Sequence, residues 1–158
     1  MRRPKYPLEP LAQVRARKVE GAVQGLAKAV IQRERAEEQR KQSEQRRDAH
    51  EAHATRVSET ERGSLERGEL SAADLAHAHA WQLRSEAEHA ALATEVEQAR
   101  AAEADARQGE SAARGQVAER RADADVVEKD RARWTAEARK REDAKEEEAM
   151  AEAFRSKR

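Results

Sequence analysis

A chain of 158 residues in which 41% are charged, 3% are aromatic and none is cysteine is excluded from several classes at once. It has too little apolar surface for an ordinary globular core, and it cannot form disulfides, thiol nucleophiles or cysteine-ligated zinc. Its 32 basic and 32 acidic side chains cancel, which together with an abundance of the strong helix formers Ala, Glu, Arg, Lys and Gln separates it from disordered chains of equally low mean hydropathy, here −1.13.

In chain order, the first element is a basic, proline-punctuated segment over residues 1–7. No apolar run of signal-peptide length follows it, and no stretch approaches the roughly 20 apolar residues of a membrane span. A cytoplasmic protein without membrane insertion is expected. Pro4, Pro7 and Pro10 are the only prolines, and Pro10 is tolerated in a first helical turn, where its missing amide proton is not needed.

A first helix is predicted over 8–67. Its apolar residues step as Leu11, Val14 or Ala16, Val19, Ala22 or Val23, Leu26 and Ala29 or Val30, at helical spacing. Beyond Ile31 the same phase runs through Arg33, Ala36, Arg40, Ser43, Arg47, His50, Ala54 and Val57. That seam is polar, held by ion pairs worth tenths of a kcal/mol each.

A turn is predicted at 68–71. Gly68 suits the left-handed residue that ends a helix, and Ser71 with Asp74 has capping-box spacing, flanked by Leu70 and Leu75 at staple positions. A second helix over 72–155 carries Trp81, Leu92, Val96, Ala99, Ala106, Ala113, Val117, Ala124, Val127, Trp134 and Ala138 in a nearly continuous heptad phase. Folding back at the turn pairs residue i with about 136 − i, so that Val19 faces Val117, and the end of the second helix extends past the start of the first. The predicted fold is all-α, a long antiparallel two-helix coiled-coil hairpin forming one elongated domain with a C-terminal overhang.

The neutral total conceals a pattern. Residues 1–47 carry 13 basic and 6 acidic side chains, residues 48–112 carry 6 and 14, and residues 113–158 carry 13 and 12. Net charges of +7, −8 and +1 put an acidic tip opposite a basic open end, suited to different partners at the two ends.

Chemistry is scarce. His50, His53, His77, His79 and His89 cluster around the turn, where a metal site or a pH response is sterically conceivable, but a polar seam residue is the commoner role for each; no metal and no cofactor is expected. There is no phosphate-binding glycine loop and no pocket to shift the pKa of a carboxylate, so no enzyme and no catalytic residue is expected. Trp81 and Trp134 are either seam residues or partner anchors. The basic end interleaves Glu with Arg and Lys and lacks a stacking platform, which argues against nucleic acid.

Four features, in order, resemble the FliJ/YscO-type stalk proteins of type III secretion systems: the opening from Tyr6 to Arg15 (YPLEPLAQVR) with Lys18 and Ala22, the linker from Gly68 to Leu75 (GELSAADL) leading to Trp81, the aromatic at Trp134, and the basic-then-acidic run 139–148 (RKREDAKEEE). The resemblance implies a central stalk that binds and stimulates a hexameric secretion ATPase, contacts the cytoplasmic domain of the export gate at the cytoplasmic face of the apparatus and, in some members, binds export chaperones. It implies ATPase contacts at Leu8, Leu11, Val14, Arg15, Lys18, Trp134, Arg139 and Arg141, and gate contacts at His50, His53, Leu75, Ala78 and Trp81. A monomer is expected when the chain is isolated. The alternative is a structural coiled-coil tether or scaffold with no ATPase partner.

Overall fold

The computed structural model describes residues 5–155, so the expected extended segment 1–7 lies partly outside the described residues. Two helices account for nearly all of them: α1 (Glu9–Glu66) and α2 (Ala72–Arg155), with no strand among the described residues. Nothing in either sequence must break a helix, because Pro10 falls in the first turn of α1 and no proline follows.

The link is chemically specified. Gly68 adopts φ = 68°, its amide donates to the Leu65 carbonyl at 3.0 Å, and the Glu69 amide donates to the Ser64 carbonyl at 3.0 Å. This is the Schellman pattern that satisfies the last carbonyls of a helix. Three residues on, α2 opens with a capping box. The Asp74 amide donates to Ser71 Oγ at 3.2 Å and the Ser71 amide donates to Asp74 Oδ2 at 2.9 Å, while the Ser71 hydroxyl donates to the same oxygen at 2.6 Å. These bonds hold the Asp74 carboxyl below its ordinary pKa. A side chain at position 68 would meet no atom within 4 Å, so the strain of Gly68→Ala is purely conformational. It should cost about 1 kcal/mol in chemical denaturation, and an unchanged unfolding midpoint would contradict this account of the link.

The helices contribute to two compact units, one of residues 1–27 and 112–158 and one of residues 28–111. In each unit the two helices run antiparallel. In the first, Val117 and Val127 are buried on α2, and Ala12, Arg15, Val19, Ala22 and Leu26 turn inward on α1. In the second, Ser85, Val96, Ala99, Glu103 and Glu110 are buried on α2 and Ser43 on α1. The two-helix coiled-coil hairpin is thus observed, with a seam more polar than its apolar residues alone suggest.

Two expectations are corrected. Leu11 and Val14 do not lie in the seam but are 39% and 47% exposed. The heptad set by Val19, Ala22 and Leu26 reads back to Ala12, Arg15 and Val19, and a helix in a two-helix pair can bury only that one face. On α2 the seam includes Glu103 and Glu110, which complete the three-four spacing between Ala99, Ala106 and Ala113.

These carboxylates form charged layers in the second unit. Glu110 accepts from Arg33 Nε at 2.9 Å, and Arg33 also reaches Glu37 at 2.8 Å. Glu103, only 5% exposed, accepts from Arg40 Nε at 2.5 Å and from Arg107 at 2.6 Å. The fold-back arithmetic would set Arg40 opposite Val96, yet it bonds Glu103. Side chains on a helix lean toward its N-terminus, and in an antiparallel pair the two leans are opposed. Long partners therefore meet although their Cα atoms are offset, while shorter ones such as His50 and His89, with ring centroids 6.3 Å apart, stay closer to the arithmetic.

Candidate partner-binding surfaces

In the first unit, the short segment before α1 is clasped against α2. Tyr6 is buried; its ring meets Trp134 edge-on with centroids 5.7 Å apart, and its hydroxyl donates to Asp130 Oδ2 at 2.5 Å. Edge-to-face packing adds to the burial of both rings. The hydrogen bond to a carboxylate, burial and the negative charge of Asp130 all oppose the phenolate, pushing the Tyr6 pKa from 10.0 to about 12. Arg131 pairs with Glu9 at 3.0 Å on the same stretch. A groove of about 760 Å³ opens beside the clasp, between Lys5, Pro7, Pro10 and Gln13 on one side and Arg131, Trp134 and Thr135 on the other.

The residues assigned to an ATPase contact separate into two groups here. Leu8, Leu11, Val14 and Lys18 are exposed, and Leu11, Val14 and Lys18 recur at three and four residues, which puts them on one face. Arg139 and Arg141 are exposed too, although Arg141 reaches back to Glu137 at 3.6 Å. Arg15 and Trp134 are engaged inside the unit: Arg15 donates to the Asp123 backbone carbonyl, and Trp134 supports Tyr6. Sequence reasoning passed over Tyr6 as a structural residue. The available signal was an aromatic set between prolines in a chain with four aromatic residues.

In the second unit, near the link, His53 meets Trp81 edge-on with centroids 6.3 Å apart. His50 is half-buried between the helices. Its Nε2 lies 3.5 Å from Glu88 Oε2, and its buried Nδ1 has no hydrogen-bond partner. Ala78 is half-buried, and Leu75 is 44% exposed. Shallow grooves of about 350 Å³ beside His50, Ala54, Ser85 and His89, and of about 310 Å³ beside His53, Val57 and Leu70, flank this cluster. Among the described residues no group of three or more His, Asp or Glu is placed to hold a metal ion.

No helix among the described residues is long and apolar enough to cross a membrane. Both surfaces are open helix faces with shallow grooves, carrying a few aromatic and aliphatic side chains amid charge, which suits protein partners better than small molecules. Neither a curated protein nor a solved structure matches the chain. The family model described as YscO-like protein does, over residues 3–154. That family comprises stalk-type structural components of type III secretion, and the match takes in both helices, the link and the Tyr6–Trp134 clasp. A helical hairpin of this construction, matched along nearly its whole length, belongs to the YscO-like family.

Proposed function

We propose that this protein is a non-enzymatic central stalk of a type III secretion export apparatus, working at its cytoplasmic face, which binds and stimulates the hexameric secretion ATPase and links it to the export gate. The observation that carries the reading is the uncovered stripe of Leu8, Leu11, Val14 and Lys18 beside a clasp that fixes the start of α1. Apolar side chains on a held helix lose little freedom when a ring closes around them, so contact energy goes into favouring one ATPase subunit state over another. Arg15 and Trp134 position that stripe. Arg139 and Arg141 supply charge alongside it. At the other surface, Trp81 with His53, and Leu75, Ala78 and His50 nearby, provide an aromatic anchor for the gate's cytoplasmic domain, and export chaperones are further partners.

ATP hydrolysis by a purified hexameric secretion ATPase from the same organism provides the test. The wild-type chain should raise its turnover, L11E/V14E should abolish the rise, and W81A should keep it while losing gate binding. Stimulation indifferent to L11E/V14E would sink the assignment of this stripe. No stimulation by the folded wild-type chain would favour the tether reading.

A further inference from the structure

Four of the six glycines stand inside helices at positions where nothing in the fold calls for one. Gly21 and Gly25 lie in α1, and Gly109 and Gly115 in α2. None of them has a positive φ, which among the described residues only Gly68 adopts. A Cβ added at any of the four would meet no neighbouring atom within 4 Å, so neither a turn nor a close approach holds glycine there. Each nevertheless weakens its helix, because an interior glycine loses more backbone freedom on folding than alanine does. Their placement is not scattered. By the fold-back pairing of residue i with about 136 − i, Gly115 lies opposite Gly21, and Gly109 falls two residues from the position opposite Gly25. The two helices are thus weakened at one level. On α1 that level is bracketed by residues tied to α2, Arg15 to Asp123 at 3.8 Å and Arg33 to Glu110 at 2.9 Å. Between them the seam residues Ala22 and Leu26 on α1 and Ala113 on α2 are only half-buried. The compact units divide at the same place, after Ala27 on α1 and after Ser111 on α2.

We infer that Gly21, Gly25, Gly109 and Gly115 form a compliant joint in the helix pair, a level at which α1 and α2 open together more readily than the turns on either side. Backbone hydrogen bonds break there transiently while the ion pairs that bracket the level stay closed, so the opening is local and reversible. The two helices share it because a helix in a two-helix pair draws most of its stability from the face packed on its neighbour, and a turn that frays on one side uncovers the other. A consequence that rests on the stalk reading is that the joint absorbs bending or twisting, letting Leu11 and Val14 keep one partner while Trp81 keeps another.

Amide hydrogen exchange of the full-length chain tests the joint with no partner present, so its failure is separate from failure of the stalk reading. Amides of residues 20–27 and 108–117 should exchange about fivefold or more faster than those of the turns flanking them. Alanine fits at all four positions without a clash, so the variants keep the fold. G21A/G25A should slow exchange over residues 20–27 by about 25-fold, about fivefold for each glycine replaced. It should also slow residues 108–117 at least about twofold, although α2 is untouched, and G109A/G115A should produce the converse. Exchange no faster than in the flanking turns would overturn the proposal. So would protection gained only in the substituted helix, which would mean separate soft turns and no shared joint. Alanine variants that lose ATPase stimulation with exchange unchanged would overturn it as well, and would assign the glycines to partner contact.

Discussion

Arg40→Leu is expected to lower the midpoint of thermal unfolding by about 5 °C, and Arg40→Leu combined with Glu103→Leu to raise it above wild type by a similar amount. The single change leaves the Glu103 carboxylate, 5% exposed, with Arg107 as its remaining partner. A buried charge deprived of a partner costs more than the pair contributed. The double change removes both charges from a layer bounded by Ala99 and Ala106 and fills it with branched aliphatic side chains, whose burial carries no desolvation penalty. Glu103→Leu alone should be the milder single variant, because Arg40 keeps Glu44 and solvent. The sign reversal between single and double variants is the diagnostic result. Additive losses would mean that the layer stabilises the protein outright.

Trp134→Ala should destabilise the first unit by about 2 kcal/mol, roughly half the loss for a fully buried aromatic, because Trp134 is only half-buried. It should also free the segment that holds Tyr6. The chain has one tyrosine, so its phenolate absorbance reports on the clasp directly. In the wild-type chain the transition should lie at about 12, and in Trp134→Ala it should fall toward about 10, the ordinary value. Because the folded pKa is raised, the stabilisation from the Tyr6–Asp130 bond is fully present below about pH 10 and lost as pH rises through about 12. Tyr6→Phe removes that dependence while keeping the ring contact. A wild-type titration at the ordinary value would contradict the hydrogen bond.

Much of the fold was legible because its punctuation is chemical. Gly68 and the Ser71–Asp74 pair announce one helix end and one start, and the link has the Schellman motif and the capping box those residues imply. Long helical periodicity did the rest. The seam's composition was less legible, since apolar side chains are poor markers of it in this chain. Leu11 and Val14 are exposed despite their apolar character, while Glu103, Glu110 and Ser85 are buried. In a chain so poor in apolar side chains, the phase of the repeat is better evidence of burial than hydrophobicity, and charged residues on phase are buried if a partner lies across from them. At the candidate surfaces, the edge contact of His53 with Trp81 was within reach of the fold-back arithmetic. The Tyr6 clasp was not, because periodicity says nothing about a segment that precedes a helix.

The charged layers have a mechanical consequence. Between Ala99 and Ala113 the aliphatic seam residues of α2 are alanines, which interlock weakly with a facing helix and leave the heptad register there to the charged layers. Arg33 and Arg40 lie seven residues apart on α1, as do Glu103 and Glu110 on α2. A slide of one heptad in one direction joins Arg33 to Glu103 but abandons Arg40 opposite Val96; in the other it carries Arg33 beyond Glu110 with no carboxylate to receive it. The two bridges act as detents, holding this stretch at one position when an axial load pulls on a single helix.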